Sequence, residues 1–240
     1  MKIPRKITPD PLLDSMIEVH VVPTAPFVLY ASHLFDLFKE QLNFLQSNSN
    51  SNIAFTAQSD GVLVHFESNA PLLANQEIKI QVTESKLVFN SNEKYIGWSK
   101  LSKYVQDILE AVIKKKLISQ VNRIGLRFIN QFEGEDISSV VSSACDYVPR
   151  YVKTEGNTKF INFNLQFIDK NEQRVNLNLV STKGERDIFS IDIDIIKEDF
   201  TSMNIDDIYQ IVEMLHDTEK KIFFNILDAT FLERNYVVTY

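Results

Sequence analysis

The chain has no two glycines close together. Its six glycines, Gly61, Gly97, Gly125, Gly134, Gly156 and Gly184, are isolated. That removes a phosphate-cradling P-loop, a dinucleotide-binding glycine turn and a nucleophile elbow, since each needs closely spaced glycines. Cysteine is almost missing as well. The lone Cys145 has no partner for an internal disulfide, no second thiol for a zinc knuckle and no local feature of a nucleophile, and a single thiol agrees with a reducing compartment. The four histidines, His20, His33, His65 and His216, show no paired metal spacing of the H-E-x-x-H kind. No apolar run approaches the roughly 20 residues that a membrane-spanning helix requires. The basic start of the chain is not followed by a continuous apolar segment, so a cytoplasmic location is the default expectation.

Positive charge is also in deficit. A formal net charge of −7 opposes counterion-release binding to nucleic acid unless a basic patch is set against the overall field. The only dense basic run, Lys114, Lys115 and Lys116, falls where a helix should end, and cations favour that end of the helix dipole. Nucleic acid is therefore not the expected partner, and no membrane association is expected.

What is present is alternation. Period-two patterning marks strands over residues 12–22, 77–82, 86–91 and 121–130. It is cleanest late in the chain. There Ile161, Phe163, Leu165 and Phe167 interleave with Asn162, Asn164 and Gln166; Val175, Leu177 and Leu179 with Asn176 and Asn178; and Ile191, Ile193 and Ile195 with Asp192 and Asp194. Ser59-Asp60-Gly61 signals a short hairpin. Helical spacing appears over residues 26–46, over residues 98–117, and in a long segment capped by Asn204, with Asp206 and Asp207 in its first turn. In that last helix Ile208, Ile211, Val212, Leu215, Ile222, Phe223, Ile226 and Leu227 should face inward.

Pro4, Pro9 and Pro11 make residues 1–11 an irregular lead, residues 47–52 read as a polar loop, and residues 136–146 suit a short helix. The expected architecture is one α+β domain over residues 1–240, a largely antiparallel sheet with helices packed on one face. If it divides, it divides near residues 135–157.

The organising stretch is V-N-R-I-G-L-R-F-I-N, residues 121–130. As a strand it turns Ile124, Leu126 and Phe128 to one face and Arg123, Gly125 and Arg127 to the other, with the arginines about 13 Å apart. Gly125 marks either a bulge or a close approach to the backbone. Asp192 and Asp194 share a face about 6.6 Å apart. Two carboxylates fall short of the roughly six oxygen ligands of a magnesium or calcium site, and the nearby faces offer amides. No metal or cofactor is expected. If the two strands are neighbours, cross-strand Arg–Asp pairs would offset like-charge repulsion on both. With Asn130, Asn162, Asn164, Asn176 and Asn178, these charges form the expected interaction surface, since amides and guanidinium groups hydrogen-bond a partner at modest desolvation cost.

R-I-G-L-R-F-I-N resembles the signature of a sporadically distributed family of bacterial and archaeal proteins of about 250 residues, in which arginine, aliphatic, glycine, leucine, arginine, aromatic, aliphatic and asparagine recur mid-chain. P-D-P-L-L-D-S-M-I-E-V near the start, Y-I-G-W-S-K-L ahead of the second helix, and the pair Leu215 and His216 are similar to the family as well. Asp10, between the prolines, makes the opening more polar than the family's usual form. The resemblance carries no assigned activity and no catalytic residues. Its scattered distribution implies an accessory system, such as a defence or toxin–antitoxin locus. The functional expectation is a non-enzymatic binding or adaptor module with a protein partner. The alternative is a metal-dependent hydrolase or small-ligand-binding enzyme that uses the Arg/Asp face.

Overall fold

A computed structural model describes residues 3–4, 6–45, 53–58, 61–66, 72–142 and 160–239. In chain order its elements are β1 (Lys6–Thr8), β2 (Leu12–Pro23), α1 (Phe27–Phe38), β3 (Asn43–Leu45), β4 (Ile53–Gln58), β5 (Gly61–Phe66), β6 (Leu72–Ala74), β7 (Ile78–Val82), β8 (Lys86–Ser91), α2 (Trp98–Lys114) and β9 (Ile118–Glu133). They continue with α3 (Ile137–Val140), β10 (Phe160–Ile168), β11 (Arg174–Thr182), β12 (Ile188–Lys197), α4 (Ile205–Ile226), α5 (Ala229–Asn235) and β13 (Val237–Thr239). Nine strands make one sheet in the order β10-β11-β12-β9-β2-β8-β7-β6-β3. Every neighbouring pair in it is antiparallel. The fold is α+β.

The alternation read from the sequence separates the two faces. Ile17 and Val19 on β2, Leu126 and Phe128 on β9, Val175, Leu177 and Leu179 on β11, and Ile191, Ile193 and Ile195 on β12 are all buried. They join one hydrophobic cluster with Leu101, Val105, Leu109 and Val112 of α2 and Ile208, Val212 and Leu215 of α4. Each of those side chains, once buried, is worth about 1.5–3 kcal/mol relative to exposure, which is what holds the helices on the sheet. The opposite face carries the polar residues of the same strands.

Helix ends follow local chemistry. Asn204 caps α4 by accepting a hydrogen bond from the Asp206 amide at 3.0 Å. Helix α2 ends where Leu117 N–H donates to the Val112 carbonyl and Lys116 N–H to the Ile113 carbonyl, with Lys116 at φ +55°. That closing turn is the ordinary left-handed helix stop, and it absorbs the lysine triplet.

Several expectations change. Helix α1 stops at Phe38 instead of running to residue 46. Gln41 and Leu42 N–H both donate to the Phe38 carbonyl at 2.8 Å, and residues 43–45 are taken up as strand β3 beside β6. Pairing at the sheet edge overrides a helical pattern there. The lead segment is not wholly irregular, because Lys6–Thr8 fits between Pro4 and Pro9 and pairs with Val237–Thr239 at the far end of the chain. The short helix after β9 covers Ile137–Val140, capped by the Asp136 side chain, and residues 143–159 lie outside the described residues. The hairpin register Gln58↔Gly61 leaves residues 59 and 60 between β4 and β5; these two, like the expected loop at 47–52, are also outside the described residues.

Gly125 is neither a bulge nor a close approach. The β2–β9 register shifts between His20↔Arg123 and Val21↔Val121 instead, which places the irregularity at Asn122. A Cβ on Gly125 would stand 3.8 Å from Ile196 Cγ1 and 3.9 Å from Glu18 Cβ, ordinary contact distances. Gly125→Ala is therefore expected to raise stability by about 0.5–1 kcal/mol, by reducing the freedom of the unfolded chain. A urea unfolding midpoint checks it, and a lowered midpoint would show that the strand needs the glycine.

Candidate functional site

The open face of the sheet gathers most of the residues singled out by pattern. Strand β9 lies between β2 and β12, with Arg127 opposite Asp194. The ion pair that forms is the diagonal one. Arg127 Nε donates to Asp192 Oδ1 at 2.9 Å and Nη2 to Asp192 Oδ2 at 2.7 Å, a bidentate fork that suits a guanidinium and a carboxylate. Asp194 accepts instead from Asn176 Nδ2 at 2.9 Å, and Asn176 Oδ1 accepts from Gln166 Nε2 at 2.7 Å. Burial pushes the Asp194 carboxyl up, more than the Asn176 hydrogen bond and the Arg127 charge pull it down. Asn178 is opposite both Asp192 and Asn164, and Asn162 lies further along edge strand β10.

Arg123 takes the other neighbour. Its Nη1 stands 3.3 Å from Glu18 Oε1 and 2.9 Å from His20 Nε2 on β2, so it forms no pair with Asp192 or Asp194. Lys86 Nζ donates to Glu18 Oε2 at 2.7 Å. Burial opposes ionisation of Glu18, but the hydrogen bonds from Lys86 and His20 outweigh it and hold the carboxyl below its ordinary range. The two arginines thus share a face, as their spacing requires, but each is already engaged. Among the described residues no group of three or more His, Cys, Asp or Glu side chains is placed to hold a metal ion.

Asn130 is a correction. Its parity is that of Leu126 and Phe128, so it lies on the helix side, 5% exposed, away from the arginines. There it lines a cavity of about 570 Å³ between the β1–β2 connection, the sheet, the start of α2 and the middle of α4, a volume in the range of small-molecule sites. The stretches P-D-P-L-L, Y-I-G-W-S-K-L, R-I-G-L-R-F-I-N and Leu215-His216 all contribute to its wall, through Asp10 to Leu12, Tyr95 to Ser99, Phe128 with Asn130, and His216. The Pro11 carbonyl accepts from Gln131 N–H at 2.8 Å, which ties the first of these stretches to the central strand.

The wall is aromatic with a few polar groups. Trp98 stacks on His216, ring centroids 3.8 Å apart at 14°, and Phe128 meets both rings edge-on. The Trp98 indole N–H donates to the Glu213 carboxylate at 2.9 and 3.1 Å, which fixes the ring. Burial, helped by the charge on Lys220, lowers the His216 pKa to about 3, so the imidazole is neutral. One turn on, Glu219 is 3% exposed. Burial raises its pKa to about 8 against a smaller opposite effect of Lys220, which leaves a protonated carboxyl in the wall. No described residue hydrogen-bonds the Asn130 amide or the Glu219 carboxyl. Lys6, Asp10 and Ser99, all exposed, form the rim.

Glu219, His216 and Trp98 were not among the expected site residues, yet a signal existed. The inward stripe of α4 runs through Leu215 and Phe223 with a carboxylate at the intervening turn, where an apolar residue belongs. An ionisable residue at a core position is itself a site signal.

Compared with models of protein families and with curated proteins, the sequence matches none.

Two outcomes follow from this geometry. Replacing Arg127 strands a half-buried Asp192, so Arg127→Leu should cost about 2 kcal/mol in chemical denaturation. Arg127→Lys should recover only part of that, because an ammonium cannot make the fork; full recovery would show that charge alone matters. The protonated Glu219 favours the fold in full below about pH 4.5, and that contribution is lost as pH rises towards about 8. The neutral His216 acts in the other direction, favouring the fold above about 6.5 and losing that contribution as pH falls towards about 3. The Tm of Glu219→Gln should therefore gain on that of the parent chain from about pH 5 to about pH 8. A constant difference would place Glu219 in water.

Proposed function

We propose that this protein is a binding module whose ligand is an uncharged, flat ring compound held in the cavity between α4 and the sheet. One observation carries the reading. Asn130 and Glu219, each nearly buried as a residue, line an aromatic cavity, and no described residue hydrogen-bonds their side chains. Donors and acceptors that the protein leaves to cavity water are the groups an occupant can pair with in its place. The Asn130 amide offers a donor and an acceptor, and the protonated Glu219 carboxyl another of each, which suits the edge of a heterocycle or an amide. Tyr95, Trp98, Phe128 and Phe223 supply ring contacts. A medium that keeps a carboxyl protonated near neutral pH disfavours a charged ligand at that depth.

The non-enzymatic binding or adaptor role expected from the sequence is retained, and its working surface moves to the other face of the sheet. The Arg/Asp face supports partner binding or hydrolysis less well, because Arg127 and Asp192 already satisfy each other. The accessory, defence-related setting and a protein partner for the ligand-bound module fit a small-molecule sensor; they rest on the resemblance of the signature stretch alone.

Trp98 is the only tryptophan of the chain, so its fluorescence reports on the cavity directly. Titration with benzamide, isoquinolone and uracil is expected to give a saturable change with at least one of them. Affinity should fall about tenfold in Asn130→Leu and in Glu219→Leu, the loss of roughly one buried hydrogen bond, and survive in Glu219→Gln, which keeps a donor and an acceptor. No saturable change with any probe, or binding indifferent to both leucine variants, would overturn the reading.

A further inference from the structure

We infer that a second copy of this chain pairs with β10, antiparallel about Asn164, so that the sheet continues across a two-fold axis. β10 is the terminal strand at one end of the nine-stranded sheet, and the terminal strand at the other end, β3, is only three residues long. Edges are normally blunted by shortness, by Lys or Pro, or by a bulge, because unpaired N–H and C=O groups invite another strand. Among the described residues β10 shows none of these devices. It is nine residues long, pairs with β11 in unbroken register, and reads F-I-N-F-N-L-Q-F-I without a charge, a proline or a glycine.

That sequence is chemically self-complementary. Turned antiparallel on itself about Asn164, it sets Phe160 against Ile168, Ile161 against Phe167, Asn162 against Gln166, Phe163 against Leu165, and Asn164 against its own copy. Every apolar residue meets an apolar one and every amide meets an amide, which is the condition for favourable cross-strand pairs along the whole interface. An isologous contact of this kind closes after two copies.

The exposure pattern agrees. Phe160 is 56% exposed, Ile168 64% and Leu165 38%. Leu165 lies on the helix side, opposite the buried Leu177, while α4 packs over β12 and β9. Phe160 and Ile168, opposite Thr182 and Arg174, lie on the open face, so apolar surface reaches the edge on both faces of the sheet, and the matching residues of a second copy would cover it. A single strand pair is at the small end of protein interfaces, so the association is expected in the micromolar range. The pairing is independent of the cavity on α4, and the two stand or fall separately.

Cross-linking in a Cys145→Ser background tests the register. Directly opposed residues of an antiparallel pair have Cα atoms about 4.5–5.5 Å apart, within reach of a disulfide. Asn164→Cys should give a covalent dimer under mild oxidation. Asn162→Cys should not, since it lies about 13 Å along the strand from its own copy, whereas Asn162→Cys combined with Gln166→Cys should. Sedimentation should show concentration-dependent dimers, with a dissociation constant raised about tenfold or more in Leu165→Lys and an unchanged melting curve for the monomer. A chain that stays monomeric with no cross-link at position 164 would overturn the pairing and leave the edge to another occupant. Equal cross-linking at positions 162 and 164 would refute the register, and retained dimers in Leu165→Lys would place the interface elsewhere.

Discussion

Strand β9 carries ladder hydrogen bonds on both edges, to β2 along most of its length and to β12 along its second half. Its pleat therefore decides what each face of the sheet holds. From Arg123 onward, odd positions face the polar side and even positions face the helices. One residue of slip would send Arg123 and Arg127 into the core and Leu126 and Phe128 into water, a cost far above the few kcal/mol that any single contact contributes. The bulge at Asn122 resets the parity upstream, which is why Val121 and Ile124, three residues apart, are both buried.

The two faces solve the problem of polar groups differently. On the open face, charged groups are paired or hydrogen-bonded locally: Arg127 with Asp192, Glu18 with Lys86 and Arg123, while Asp194 accepts from the Asn176 amide, which in turn accepts from Gln166. With side chains between 18% and 29% exposed at Glu18, Arg127 and Arg123, these pairs are partly shielded and hold the strands in register more than they add net stability. On the helix face, charge is removed by protonation chemistry. Glu219 keeps its proton and His216 remains unprotonated, so these two add no charge to the cavity wall, whose charged members are the exposed Lys6 and Asp10 and the half-buried Lys220. Uncharged donors and acceptors left unused at that depth make the cavity selective, since an occupant must replace hydrogen bonds that water would otherwise supply.

The strands and the two long helices were legible because alternation and helical period are local properties. The antiparallel run β10-β11-β12 could be read almost residue by residue. Partners were less legible, since they depend on distant residues: the pairing of Lys6–Thr8 with Val237–Thr239 has no local cue, and β3 was hidden inside a helical pattern. The neighbouring positions of β9 and β12 followed from charge complementarity for Arg127, but not for Arg123, because β9 has a second neighbour. At the cavity the cues are two polar residues at core positions. Asn130 is close to the arginines in sequence but stands an even number of residues from Ile124, which gives it the helix-side parity, and Glu219 interrupts the apolar stripe of α4. Both are polar residues at core positions, a pattern that burial turns into a site only when the third dimension brings the two together.

The order of the sheet has a consequence for synthesis. His20 of β2 meets Arg123 of β9, 103 residues further on. At the usual rate of roughly 5–20 residues per second, the first long strand therefore leaves the ribosome about 5–20 s before its main partner exists. Through that interval Ile17, Val19 and Val21, all buried in the finished fold, have only α1, and later β8, to lie against. A nascent chain of this topology is the form most in need of chaperone cover.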